Sequence, residues 1–63
     1  MKDYQARVIE ETDQLKVRLN ALFAFIEGPE FSDVDKRERR RLRDQSYYME
    51  QYLIILLVRS ASF

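Results

Sequence analysis

The sequence predicts an all-α chain, two helices folded back on each other as an antiparallel hairpin, and three features predict it. Apolar residues recur every seven positions in both halves of the chain, with helical rather than period-2 spacing. The single Gly and single Pro stand together at Gly28-Pro29, near the middle. No second Gly or Pro interrupts the pattern that follows, up to Ser60.

Each element follows in order. Val8, Leu15 and Leu22 form the first seam, and Thr12, Leu19 and Ile26 fill the positions four residues further on. This predicts helix one from about Asp3 to Glu27. Glu27-Gly28-Pro29 then reads as a stop: Gly is free to adopt the left-handed conformation beyond a helix, and Pro blocks continuation. The turn is expected at Gly28 to Ser32. Ser32, followed by Asp33 and Asp35, would supply a capping hydroxyl and two carboxylates at a helix N-terminus, where amide dipoles favour negative charge. Helix two is accordingly expected from about residue 33 to residue 60. Its seam is Leu42, Met49, Leu56 and Phe63, flanked by Tyr52, Leu53 and Ser60.

Size and patterning together point to self-association. A chain of 63 residues buries only about 60% of its unfolded surface. Without cysteine or histidine it has neither disulfide nor zinc to staple it. Leu53 to Val58 is apolar around the whole helix circumference, more than one partner helix covers. The hairpin is therefore expected to assemble into an oligomeric helical bundle, with Leu42, Met49, Leu53, Leu56 and Phe63 at the interface. That apolar run falls far short of the roughly 20 residues that span a bilayer. The opening, Met1 to Gln5, turns charged at once, unlike a signal peptide. A soluble, intracellular protein with no membrane partner is expected.

Composition argues against catalysis. With no His and no Cys, acid–base work would fall to carboxylates, Lys or Tyr, and a nucleophilic Ser or Thr would lack an imidazole. Glu10, Glu11 and Asp13 point in different directions around a helix. The Glu-x-x-His pairs of metal-binding bundles are missing. No enzyme activity, cofactor or metal site is expected.

Charge is balanced overall, 11 basic against 11 acidic groups, but not locally. Lys36 to Arg43 carries six basic groups against one acid over eight positions. These arginines either grip phosphates through two-point forks or form a solvated face paired with Glu38, Asp44 or a neighbouring chain. In a neutral protein without a wide basic surface, polynucleotide binding is a weak expectation.

A mixed stripe on helix two is more informative. Gln45, Tyr48, Tyr52, Ile55 and Arg59 are spaced by threes and fours and share one face. A flat ring, an amide and a guanidinium beside apolar packing suit a planar anion. Base stacking on an aromatic ring contributes about 1–3 kcal/mol. The same residues also serve as interface aromatics and a helix C-terminal cation. Tyr4, Gln5 and Arg7 repeat the composition at the start of helix one, and an antiparallel hairpin brings that start to the end of helix two.

The opening Asp3-Tyr4-Gln5-x-Arg7-Val8, with Phe25-Ile26 and Phe31, and the ending Gln45-x3-Met49-x2-Tyr52-x2-Ile55-Leu56-x2-Arg59-x3-Phe63, resemble a family of very small helical bacteriophage proteins. That family resembles the viral cyclic-nucleotide sponges known as anti-CBASS proteins. The resemblance covers nearly the whole chain. It implies a small homo-oligomer, a tetramer favoured, that sequesters cyclic dinucleotide signals of bacterial antiphage defence without cleaving them, in the cytoplasm of the infected host. It would make Tyr4, Gln5 and Arg7 one side of a pocket, and Tyr52 and Arg59 the other, with Tyr48 and Gln45 added by the helix-face argument. The Arg39 to Arg43 run and the Tyr47-Tyr48 pair depart from the pattern. The alternative from another class is a helical adapter or inhibitor that binds a host or phage protein.

Overall fold

The computed structural model describes residues 2–63. Two helices, α1 (Asp3–Glu27) and α2 (Lys36–Ala61), are joined by a short 3-10 turn at Pro29–Asp33. They form a hairpin measuring 46 × 15 × 14 Å. There is no strand among the described residues.

In α1 the buried positions are Val8, Thr12, Leu15 and Leu19, spaced four, three and four apart as one face of a helix requires. Thr12 sits in this apolar line because its hydroxyl donates to the Val8 carbonyl at 2.7 Å, which leaves no unpaired polar group. The facing line on α2 is built from Ser46, Met49, Leu53 and Leu56. Ser46 is satisfied in the same way, donating to the Arg43 carbonyl at 2.7 Å. Val8, Leu15 and Leu56 form the centre, with Met49 and Leu53 packed against them.

The connection differs from expectation in three details. Gly28 is extended, at φ −82° and ψ 167°, rather than left-handed. What the site asks of residue 28 is the lack of a side chain, since a Cβ there would lie 3.1 Å from the Ala24 carbonyl oxygen. Ser32 is not a helix cap. Pro29, whose ring fixes φ near the helical value, starts the 3-10 turn, and the Ser32 hydroxyl is used inside that turn, donating to the Pro29 carbonyl at 3.2 Å. Val34 and Asp35 are then extended, and Asp35 caps α2 by accepting from the Arg37 N–H at 3.0 Å. The second helix therefore starts at Lys36 instead of about residue 33.

Phe31 closes this end of the hairpin. It is buried, meets the Phe25 ring edge-on at 6.0 Å, and lies under the Arg43 guanidinium at 5.1 Å. Burying a ring of this size contributes about 1.5–3 kcal/mol, which fixes the entry angle of α2.

The seam expected between chains is partly used within one chain. Leu56, assigned to an oligomer interface, is fully buried inside the hairpin. Met49 and Leu53 are half-buried against α1, and Leu42 is half-buried as well. Phe63 packs on Tyr4 at 5.9 Å. The reason is geometric: a period of seven selects the residues facing the nearest helix, and the nearest helix belongs to the same chain. The apolar surface that α1 does not cover is Ile54, Ile55, Leu57 and Val58, which are 48%, 57%, 43% and 62% exposed.

Candidate ligand-binding face

A regular offset relates the aromatic and cationic candidates to the hairpin seam. Arg7 immediately precedes buried Val8. On α2, Gln45 precedes buried Ser46, Tyr48 precedes Met49, Tyr52 precedes Leu53, and Arg59 precedes half-buried Ser60. Tyr4 likewise precedes half-buried Gln5. With 3.6 residues per turn, a residue one step before an inward-facing one points about 100° to one side of it, always with the same hand. In two antiparallel right-handed helices, the flanks so defined lie on the same side of the pair. Tyr4, Arg7, Gln45, Tyr48, Tyr52 and Arg59 thus share one broad face of the hairpin.

Their order along that face follows from the register. The rings of Tyr4 and Phe63 meet edge-on, with an interplanar angle of 89°, so these residues stand at the same level at the open end. Arg7 lies about one helical turn inward from Tyr4, and Arg59 about one turn inward from Phe63. The two residues therefore come level, one on each helix. The ion pair formed among the described residues is Arg41 with Glu38, at 3.7 Å; neither Arg7 nor Arg59 has a carboxylate within such reach. Two neighbouring cations, neither held in an ion pair, together attract an anion placed between them.

The aromatic members are open to solvent, with Tyr4 52%, Tyr48 69% and Tyr52 42% exposed. Tyr48 pairs edge-on with Tyr47, at 5.2 Å and 81°, which holds its ring out from α2. Gln45 points along the helix, its amide 3.7 Å from the Met49 sulfur. Gln5 stands apart from the others: it faces inward, and its side-chain oxygen accepts from the Lys2 N–H at 3.1 Å. That contact closes the first turn of α1, so Gln5 serves the helix end.

The same offset reveals residues that spacing within each helix did not single out. Glu11 precedes Thr12, Gln14 precedes Leu15 and Arg18 precedes Leu19, so all three belong to the face, with Glu11 about one turn from Arg7. The Arg18 guanidinium donates to the Gln14 amide oxygen at 3.4 Å. The readable signal was the position of each polar residue relative to the seam of its own helix, a relation that joins the two helices only once their direction is known. Phe63 was also assigned elsewhere; its ring is what positions Tyr4.

A concave region of about 510 Å³ opens away from this face, along the first two turns of α2, lined by Lys36, Arg37, Arg40, Arg43 and Asp44. A smaller one of about 200 Å³ lies beside the turn, lined by Ala24, Phe25, Gly28, Pro29 and Glu30. No group of His, Cys, Asp and Glu side chains suited to a metal ion occurs among the described residues. No described helix is long and apolar enough to cross a membrane.

Comparison with known proteins places this geometry in context. Residues 2–62 match the model of the Sequestin family. Over 63 residues the chain is 43% identical to an uncharacterized 7.5 kDa protein of the denB-rIIB intergenic region of Enterobacteria phage T4, covering 100% of this chain and 98% of that protein. No solved structure matches.

Proposed function

The chain belongs to the Sequestin family, and from that premise we propose that it is a bacteriophage protein that binds and sequesters cyclic dinucleotide second messengers of bacterial antiphage (CBASS) defence without cleaving them. It acts in the cytoplasm of the infected cell. The family's name denotes sequestration, and the phage T4 relative supports the viral setting. The observation that carries the reading is the shared flank: helix periodicity puts Arg7 and Arg59, neither in an ion pair, on the same side of the hairpin as the exposed Tyr4 and Tyr52.

A cyclic dinucleotide carries two bases and two phosphates about an approximate twofold axis. A twofold contact between hairpins supplies each Tyr and each Arg twice, with rings for the bases and guanidinium forks for the phosphates. Self-association is favoured by surface area. The hairpin exposes 5084 Å², whereas a compact monomer of this mass exposes about 4,300 Å². The excess of about 750 Å² is close to what one partner buries in a standard interface, about 800 Å². Inhibition by sequestration needs affinity and abundance rather than chemistry; a nanomolar Kd corresponds to about −12 kcal/mol.

The test mixes excess protein with a panel of cyclic di- and trinucleotides, removes the protein by ultrafiltration, then denatures it and chromatographs what is released. A cyclic dinucleotide lost from the filtrate and recovered intact supports the proposal. Arg7→Ala and Arg59→Ala should each lose that retention while keeping the oligomer. Full retention by both variants would overturn the pocket, and altered products would overturn sequestration without cleavage. If every ligand stays in the filtrate, the reading gives way to a helical adapter that binds a protein.

A further inference from the structure

A concave region on α2 lies apart from the Tyr–Arg face. Lys36, Arg40 and Arg43 recur at steps of four and three along one side of α2, and Arg37 stands beside them. Together with Asp44 they line about 510 Å³, within the range of small-ligand sites. Glu38 is engaged with Arg41 at 3.7 Å, and that pair lies outside the cavity lining. No lining cation forms an ion pair. Arg43 is further steadied by its stacking over Phe31. Four cations gathered in one concavity at mutual electrostatic cost are stabilised by an anion of matching charge.

We propose that this cleft is a second anion site, separate from the Tyr–Arg face, and that it takes a compact chain of linked phosphates such as the triphosphate of a nucleotide. The length of the patch fits such a ligand. From Lys36 to Arg43 the helix rises about 10 Å, enough to set cations beside successive linked phosphates but too long for one phosphate to touch them all. Asp44 ends the run at its far edge, where a carboxylate repels an anion continuing along the helix. A long nucleic acid would need a wider basic surface, and the outer side of α1 instead exposes Asp3, Glu10 and Asp13. Lys36 and Arg59 are separated by about 35 Å along α2, so the two sites share no residue. This inference does not rest on the dinucleotide reading.

The probe is inorganic tripolyphosphate, titrated into the full-length protein by calorimetry at low ionic strength, with orthophosphate and a single-stranded RNA in parallel. Tripolyphosphate should bind at least tenfold more tightly than orthophosphate. The double variant Arg37→Gln/Arg40→Gln, whose side chains are exposed, should lose at least tenfold in affinity at unchanged helicity. Arg7→Ala should bind tripolyphosphate as wild type does, and a cyclic dinucleotide should not displace it. The proposal is overturned by absence of binding, by equal affinity in the double variant, by equal affinity for orthophosphate, or by displacement with a cyclic dinucleotide. RNA binding much tighter than tripolyphosphate would overturn the compact-ligand assignment in favour of a polynucleotide surface.

Discussion

Replacing Ile54 by Glu and Val58 by Lys in one chain tests the source of self-association. The two residues are 48% and 62% exposed on the side of α2 turned away from α1. Fully burying such a side chain contributes about 1.5–3 kcal/mol. The exposed portions would therefore contribute about 1.6–3.3 kcal/mol per chain when covered, and about 3–7 kcal/mol in an interface that uses both copies. At 1.4 kcal/mol per decade, this corresponds to a dimer dissociation constant raised by roughly 10² to 10⁵. A Glu four residues before a Lys also supports an isolated helix, so the substitution removes the apolar contact without weakening α2. Sedimentation velocity over a dilution series should show the wild type above monomer mass and the variant at monomer mass, with unchanged helical circular dichroism. A variant that sediments as wild type at every concentration, or a wild type that is monomeric throughout, would refute the reasoning.

Two further predictions concern the fold. Leu56→Ala should destabilise the chain by about 2–5 kcal/mol, because Leu56 is fully buried against Val8 and Leu15. Urea titration at a fixed chain concentration measures this, and a loss below about 1 kcal/mol would mean that the seam is not packed as described. Asp35→Ala should cost about 1 kcal/mol as a lost N-cap, whereas Ser32→Ala should stay within about 0.5 kcal/mol as a surface substitution. The reverse ranking would return the cap to Ser32.

The hairpin was legible because two seams of period seven were separated by the only Gly-Pro of the chain. The detail of the connection was not. Ser32 followed by acids has the composition of a cap, but Pro29 imposes its own short turn and takes the Ser32 hydroxyl into it, leaving the role to Asp35. The assignment of Leu56 to the interface fails for a related reason. Period seven marks the residues that face a neighbour without saying whether that neighbour is the same chain, and Leu56 proved to be core. The uncovered residues Ile54, Ile55, Leu57 and Val58 carry no period of their own; only the all-round apolarity of the segment announced them. For the candidate face, spacing grouped Gln45, Tyr48, Tyr52 and Arg59 on one side of α2. Gln5 is grouped with Tyr4 and Arg7 by proximity in sequence, and its side-chain oxygen is used at the helix end.

Zero net charge argues less against an anion site than it first suggests, because what a bound anion senses is set by distance. At physiological ionic strength charges are screened over about 8 Å. The hairpin is 14–15 Å across its short axes. Asp3, Glu10 and Asp13 lie on the outer side of α1, while Arg7, Arg59 and Glu11 lie on the flank that α1 shares with α2, and Lys36, Arg37, Arg40 and Arg43 gather around the start of α2. Asp3, Glu10 and Asp13 therefore act on their own side and little beyond it, and of the acids of α1 named here Glu11 alone is close enough to offset Arg7. The open end sets two arginines against Glu11, and the cleft gathers four cations with Asp44. The position of each charge relative to its helix seam, rather than the total, decides which faces attract phosphate.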